Sequence, residues 1–267
     1  YAAIVSLDWF ENMDRHMQHS FQQFAFGCMT RSKKVTYENL RLRDSSFTDK
    51  VLNEFLETSN SQLPTSNSAA FTPFKIRELE LPNRIVMAPM GQYSATDGLV
   101  SDWHLVHYGS RATGGVGLII TEMTAISETG RITEGCAGIY NAEQVNQWKK
   151  ITDFIHNNTS SKIGIQLGHS GRKGATKKPW EGNGPMETPW NLISASPIPF
   201  NENFTTPKEM TLEDMEKIKS QFVQAAKNAD EAGFDMIELQ AHHGFLLASF
   251  LSPLTNIRTD EFGGSIE

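Results

Sequence analysis

Cysteine is nearly absent from this chain, with Cys28 and Cys136 the two among 267 residues. They lie far apart and lack metal-ligand spacing, which argues against a disulfide scaffold or a zinc site and fits a reducing, cytoplasmic setting. Positive charge is scarce too. Lys and Arg total 24 against 31 Asp and Glu, a net charge of −7. Nucleic acid and anionic membrane surfaces both demand clustered positive charge, so neither is expected as a partner. The one basic cluster, Arg172, Lys173, Lys177 and Lys178, sits among Gly and Pro and reads as solvated loop surface. No apolar run approaches the roughly 20 residues of a membrane helix, and no secretory leader is visible. The chain begins with Tyr1 rather than Met, which leaves a processed or longer N-terminus open.

What is present suits a globular protein. Apolar residues make up 39% and charged residues 21%, and the length admits one large domain or two small ones. Residues 58–70 are rich in Ser, Thr and Asn and read as a linker. Ahead of it, Trp9, Phe10, Met13 and Met17 recur at helical spacing and Phe21, Phe24 and Phe26 follow. Residues 1–57 are too few for a comfortable core of their own, since small domains bury too little surface. They are expected to form a short, mainly helical extension, either the tail of a preceding domain or an appendage docked elsewhere.

From residue 71 onward the pattern alternates. Strands are expected at 84–87, 117–121, 162–167 and 236–239, and helices at 103–113, 142–157, 212–232 and 245–251. Thr211 is a plausible N-cap for the third helix, with acids in its first turn, and Gly233 a plausible stop. Alternation with crossovers of this length implies parallel strands covered by helices. Residues 71–267 hold about four strand–helix units, where a closed barrel needs eight and about 250 residues. Residues 182–207 carry many Pro, Asn and Gly without a clear period and read as a long loop on the ligand face.

Polar groups just past the C-terminal ends of parallel strands are how α/β barrels build sites. Three strand ends carry them here. Met87-Ala-Pro-Met-Gly-Gln-Tyr93 is a strand end followed by a proline-fixed turn, whose rigid N–H and C=O groups suit the edge of a flat heteroaromatic ring. Gln166 closes the third strand; a buried amide needs partners, and a pyrimidine-like edge would satisfy both its ends. His169 and Arg172, just beyond, either add polarity or cap the loop. Gln240 and His243 follow the fourth strand, and converging donors there can polarise a carbonyl oxygen. Two other features read as structural. The glycines of Gly114-Gly-Val-Gly117 follow a helix and precede a strand, the reverse of a phosphate loop. His104 and His107 lack a third ligand at metal spacing, so no metal is assigned.

These residues resemble a known family. Leu81-Pro-Asn-Arg-Ile-Val-Met-Ala-Pro-Met90, Gly130-Arg-Ile132, Ile165-Gln-Leu-Gly-His169 with Gly171-Arg172, Glu231-Ala-Gly-Phe-Asp235 and Phe250-Leu-Ser-Pro-Leu254 with Arg258-Thr-Asp-Glu-Phe-Gly-Gly264 are similar to the N-terminal half of the old yellow enzymes, the FMN-dependent ene-reductases and NADH:flavin oxidoreductases. The resemblance implies an α/β fold, a partial (β/α)8 TIM barrel of about the first four units, over 71–267. It implies that Ala88, Pro89, Met90, Gly91 and Met123 border the flavin ring of FMN and that Gln166 binds its pyrimidine edge. Tyr93 would line the substrate mouth, and Gln240 and His243 would grip a substrate oxygen. NADH or NADPH would be the reductant. The substrate would be a small enone, quinone or aromatic-CoA derivative, and a homo-oligomer is admitted.

Three positions depart from the family pattern. Gln240 stands where His is usual, Phe245 where a proton-donating Tyr is usual, and Gly91 where Cys or Thr is frequent. Gln23-Phe-Ala-Phe26, Thr30-Arg-Ser32 and Glu38-Asn-Leu-Arg-Leu-Arg-Asp44 are similar to the end of a flavin monooxygenase domain. With the barrel behind it, the chain resembles bifunctional anthraniloyl-CoA monooxygenase/reductases and salicylyl-CoA hydroxylases, which implies FAD in a preceding domain. A half-barrel that binds no cofactor is the competing reading.

Overall fold

The computed structural model describes residues 45–46 and 69–264. Apart from two helical residues, the expected extension 1–57 lies outside them, as does the linker up to residue 68. The chain divides between Thr72 and Pro73, and every strand and α-helix named here belongs to the second unit.

That unit opens with an antiparallel hairpin, β1 (Phe74–Ile76) and β2 (Leu79–Leu81), turned through Arg77 at φ +51°. Then follow β3 (Val86–Met87), α1 (Asp102–Thr113), β4 (Leu118–Ala125), α2 (Ala142–Asn158), β5 (Lys162–Gly168), the two-residue strands β6 (Ile193–Ser194) and β7 (Lys208–Glu209), α3 (Leu212–Glu231), β8 (Met236–Leu239) and α4 (Leu246–Leu251). The main sheet has the order β3-β4-β5-β8, parallel throughout. This is the expected arrangement of four strands with helical crossovers.

Local chemistry explains the element boundaries. Asn141 caps α2 by accepting from the Gln144 N–H at 2.9 Å. Thr211 caps α3 reciprocally: its hydroxyl accepts from the Asp214 N–H at 3.2 Å, and the Asp214 carboxylate accepts from the Thr211 N–H at 2.9 Å. Gly233 follows α3 at φ +84°, and Gly115 turns the chain from α1 into β4 at φ +88°, a backbone region that costs glycine nothing. The glycine run is thus a tight turn, as its order implied.

Two strands differ from expectation by more than one residue. β3 is two residues rather than four, and β4 runs to Ala125 rather than stopping at 121. A register irregularity between Ile120 and Met123 lets β4 resume pairing with β5 beyond the polar pair Thr121-Glu122, which in sequence looks like a strand end. The segment 182–207 is largely irregular, as expected, but Ile193 and Ser194 pair with Lys208 and Glu209.

The core lies between the central strands and the inner faces of α1, α2 and α3. Ile119, Ile163, Ile165 and Leu167 from the sheet and Trp148, Ile151 and Ile155 from α2 are fully or almost fully buried. Tyr108 lies tilted against Trp148 at 6.0 Å, and Trp148 meets Phe234 edge to face at 5.4 Å, between ring centroids. At the N-terminal end of the sheet, Asp235 ties β5, α2 and β8 together. Its Oδ2 accepts from the Ile163 N–H at 2.9 Å and lies 2.8 Å from His156 Nε2, while Lys162 stands 3.6 Å from Oδ1. The opposite end is left for chemistry.

Candidate active site

A hollow of about 420 Å³ opens at the C-terminal ends of β3, β4, β5 and β8. Ala88, Pro89, Gly91 and Tyr93 enter it from the turn after β3, Glu122 and Met123 from β4, Gln166 from β5, and Gln240, His242, His243 and Phe245 from the loop after β8. Ile132 and Cys136 complete it from the loop behind β4. Hollows of about 440 and 530 Å³ lie among the surface loops around Lys178 and Trp190. Neither gathers polar groups from several sheet-strand ends, so size alone does not locate the site.

Gln166 is buried and stands opposite Glu238 in the β5–β8 register. Its Nε2 donates to the Glu238 carboxylate, which fixes the orientation of the amide, because an ionised carboxylate only accepts. Its Oε1 accepts from Gln240 Nε2 at 3.3 Å, and Gln240 Oε1 accepts from the His242 N–H at 3.0 Å. A polar chain thus runs Glu238–Gln166–Gln240–His242 across the floor. Each amide still has one N–H and further acceptor capacity to offer a ligand.

Tyr93 sits at φ +51°. A Cβ at position 91 would meet its ring at 3.1 Å, so the glycine there leaves the phenol room to lie over the turn. Gly135 has the same use behind it: a Cβ would stand 2.3 Å from the Tyr93 carbonyl oxygen. Burial, then Cys136 and Glu122, push the Tyr93 hydroxyl above its ordinary pKa, so it stays a neutral hydrogen-bonding group. His243 is exposed and left-handed at φ +58°, with its ring 4.1 Å from that of His242 and 6.2 Å from that of Phe245. Desolvation, then His242 and Lys173, lower its pKa, which favours the neutral imidazole.

Among the residues read from sequence, Met90 stands apart. Its side chain is half exposed and does not line the hollow, while its carbonyl accepts from Gln92 Nε2 at 2.9 Å. Gln240 and His243 both line the hollow but differ in kind: the first is buried in the floor network, the second stands in solvent. His169 lies outside the hollow. Its Nδ1 accepts from the Gly171 N–H at 3.1 Å, so of the two roles left open it takes the loop cap. Burial holds its pKa at about 4.

Glu122 was not found from sequence. It is 1% exposed, on a strand buried along its whole length. Its Oε2 accepts from the Gln92 N–H at 2.8 Å and its Oε1 from the Tyr108 hydroxyl at 3.4 Å. His104 Nε2 approaches Oε1 to 3.2 Å, a close polar contact outside hydrogen-bond geometry. The Ser101 N–H donates to His104 Nδ1 at 3.0 Å, so the ring proton must sit on Nε2, toward Glu122. The carboxylate therefore pins the turn after β3 to β4 and α1. The signal in sequence was an acid within the otherwise uncharged run Leu118–Ala125; its partners come from the turn after β3 and from α1 and could not be read. His104 and His107 are buried on the inner face of α1.

The model of the NADH:flavin oxidoreductase / NADH oxidase family matches residues 69–267. A NADH:flavin oxidoreductase of Gibberella zeae is 44% identical over 210 residues, 76% of this chain and 51% of that protein. A NADPH dehydrogenase of Geobacillus thermodenitrificans is 45% identical over 203 residues, 75% of this chain and 56% of that one. Among solved structures, morphinone reductase in complex with tetrahydroNAD superposes with a TM-score of 0.65 at 31% identity, covering 74% of this chain and 56% of the other. Old Yellow Enzyme from a Pichia species gives 0.66 at 34%, covering 76% and 53%. The chain spans about half the length of these relatives. The family match runs through every strand of the parallel sheet, and the chain belongs to the NADH:flavin oxidoreductase / NADH oxidase family, the old yellow enzymes, with the fold of a partial (β/α)8 barrel.

Proposed function

We propose that the whole protein is an FMN-dependent NAD(P)H oxidoreductase that reduces an activated alkene or quinone, with aromatic-CoA derived enones in the same class. One observation carries this reading: the turn 88–93, the Gln166 amide and the polar groups after β8 converge on one hollow at the strand ends. The residues fit a flavin ring. The turn and Met123 offer a flat, mostly apolar wall, and Gln166 keeps one donor and one acceptor for a pyrimidine edge. When bound, FMN supplies hydride transfer between a reduced nicotinamide and an acceptor.

The chain's own groups do the rest. Gln166 orients the ring through its amide, itself held by Glu238. Tyr93 lines the hollow, its ring edge to face with Trp180 at 6.3 Å. His243 donates from a neutral imidazole to the acceptor's oxygen, and Gln240 adds its remaining amide N–H. Phe245 lines the hollow where the family usually presents a phenol, and its ring has no proton to give.

The purified whole protein is expected to be yellow and to release stoichiometric FMN on denaturation; bound metal without flavin would overturn the reading. Stopped-flow separation of the half-reactions gives the finer test. Flavin reduction by NAD(P)H should outpace alkene reduction, because a positioned proton donor contributes about 10²–10⁴-fold. Phe245→Tyr should raise the alkene step and leave flavin reduction nearly unchanged. An unaltered alkene step would mean that water or another side chain supplies the proton.

We also propose that residues 1–57 are the tail of an FAD-dependent monooxygenase-like domain, making the protein bifunctional. The support is the sequence phrases between Gln23 and Asp44 alone. The competing reading, a half-barrel without cofactor, draws on one observation: among the described residues, no Lys or Arg lines the hollow to meet a flavin phosphate. The denaturation experiment decides between the two.

A further inference from the structure

The four cations read as solvated loop surface fall into two pairs. Lys177 and Lys178 have carboxylate partners, Glu187 at 3.5 Å and Glu181 at 3.8 Å. Arg172 and Lys173 are half-buried and make no ion pair among the described residues. Arg172 donates from Nη1 to the carbonyls of Ile198 at 3.4 Å and Pro199 at 3.0 Å, and its Nε is buried without a partner. Lys173 Nζ donates to the His243 carbonyl at 2.9 Å. It also lies 4.5 Å from the ring centroid of Phe200 and 5.2 Å from that of Phe245.

This position faces the site. His243 and Phe245 line the hollow, so an ammonium bonded to one and resting on the other stands at its rim. Only one of its three N–H donors is claimed. Arg172 holds the carbonyls next to Phe200, which keeps that ring against Lys173. Partial burial of two adjacent cations without a counter-charge is unfavourable. Burial first, and Arg172 second, lower the Lys173 pKa. On a chain of net charge −7, a local positive rim on a concave site concentrates anions there.

We infer that Lys173, held between Phe200 and Phe245, receives an anionic oxygen group, a phosphate or a carboxylate, carried by the reductant or the acceptor that enters the hollow. The inference rests on the oxidoreductase reading above. It makes Lys173 a specificity residue, and Arg172 a positioning residue for the wall that frames it.

The test compares charged and neutral partners on the whole protein. The ratio of kcat/KM for NADPH to that for an uncharged N-benzyl dihydronicotinamide should fall about ten- to a hundredfold in Lys173→Met if the anion is on the reductant, the range of a lost charge-assisted hydrogen bond. The same fall in the ratio of a carboxylated to a neutral enone would place it on the acceptor. Lys173→Arg should restore the ratio in either case. Ratios unchanged in both pairs overturn the inference, as does a loss of bound FMN that accounts for the whole effect. Calorimetric titration with inorganic pyrophosphate needs no turnover and keeps the two readings apart. Weaker binding by Lys173→Met supports the anion point even in a protein that reduces nothing, and equal binding overturns it.

Discussion

All of β4 is buried, and so is β5 after Lys162, whereas β3 buries only Met87 and β8 alternates half-buried with exposed residues. All four strands are mostly apolar in composition. Val86, Ile237 and Leu239 are 45, 41 and 56% exposed on the edges, while Ile119, Ile163 and Ile165 are fully enclosed at the centre. A strand of a parallel sheet is written for cover on both faces and a neighbour on each side, and only β4 and β5 have that here. The same contrast runs through the site. Its rigid groups, Glu122 and Gln166, stand on the central strands; its exposed imidazole, His243, hangs from the edge.

The largest expected effect breaks the anchor of the central region. Glu122→Leu removes the acceptor of the Gln92 N–H and of the Tyr108 hydroxyl, and each buried donor left unsatisfied costs about 1–3 kcal/mol. Glu122→Gln keeps an acceptor and should cost less. Urea unfolding checks both, and hydrogen exchange at the Gln92 amide should quicken in the Leu variant. Equal stability in the two variants would mean that the acceptor at position 122 does not hold the turn.

Packing gives the next contrast. Ile163→Ala at the centre should cost about 2–5 kcal/mol, and Leu239→Ala at the edge about 1 kcal/mol or less, since little surface leaves water there. Matched denaturation midpoints for the two would erase the distinction between the regions.

A buried histidine sharpens it further. His169 follows β5 and is buried, with its pKa lowered from 6.5 to about 4 by desolvation. Between those values the unfolded chain binds the proton and the folded chain does not, so stability is present above about pH 6.5 and drains away as pH falls toward 4. A shift of this size corresponds to roughly 3 kcal/mol. Melting curves from pH 7.5 to 4.5 should show a steeper loss in the wild type than in His169→Gln. Parallel profiles would show that the buried ring takes its proton at no cost.

The smallest effect concerns the seam where centre meets edge. Gln166→Leu should weaken FMN binding by about 1–3 kcal/mol, roughly ten- to a hundredfold, with an unfolding midpoint close to wild type. An unchanged dissociation constant, measured by flavin fluorescence, would place the flavin edge elsewhere.

Much of this architecture was legible in the residues. Apolar runs bounded by Gly and Pro gave the four strands, and 3.6-residue periodicity with capping chemistry at Thr211 gave the helices nearly to the residue. Motif order separated the Gly114–Gly117 turn from a phosphate loop. Composition also pointed to the strand-end polar groups, because Gln166 and Gln240 interrupt or end apolar stretches that have no local use for an amide. The basic cluster was read too uniformly: Lys177 and Lys178 are loop surface as expected, but charge along a sequence does not say which cations find carboxylates. Only the fold set Lys177 and Lys178 beside acids and left Arg172 and Lys173 against aromatic rings.

The sequence by itself determined the elements, their parallel order and the family, because these follow from periodicity and short motifs whose physics is local. Tertiary structure alone decided what surrounds each polar group. Glu122 meets Gln92, His104 and Tyr108 across 14 to 30 residues of chain, and Gln166 meets Glu238 and Gln240 across 72 and 74. Burial, hydrogen-bond partners and pKa shifts belong to neighbourhoods that exist only once the strands lie side by side. That is why the chemical groups of the site could be named from the sequence, while the carboxylate beneath the turn and the ammonium at the rim could not.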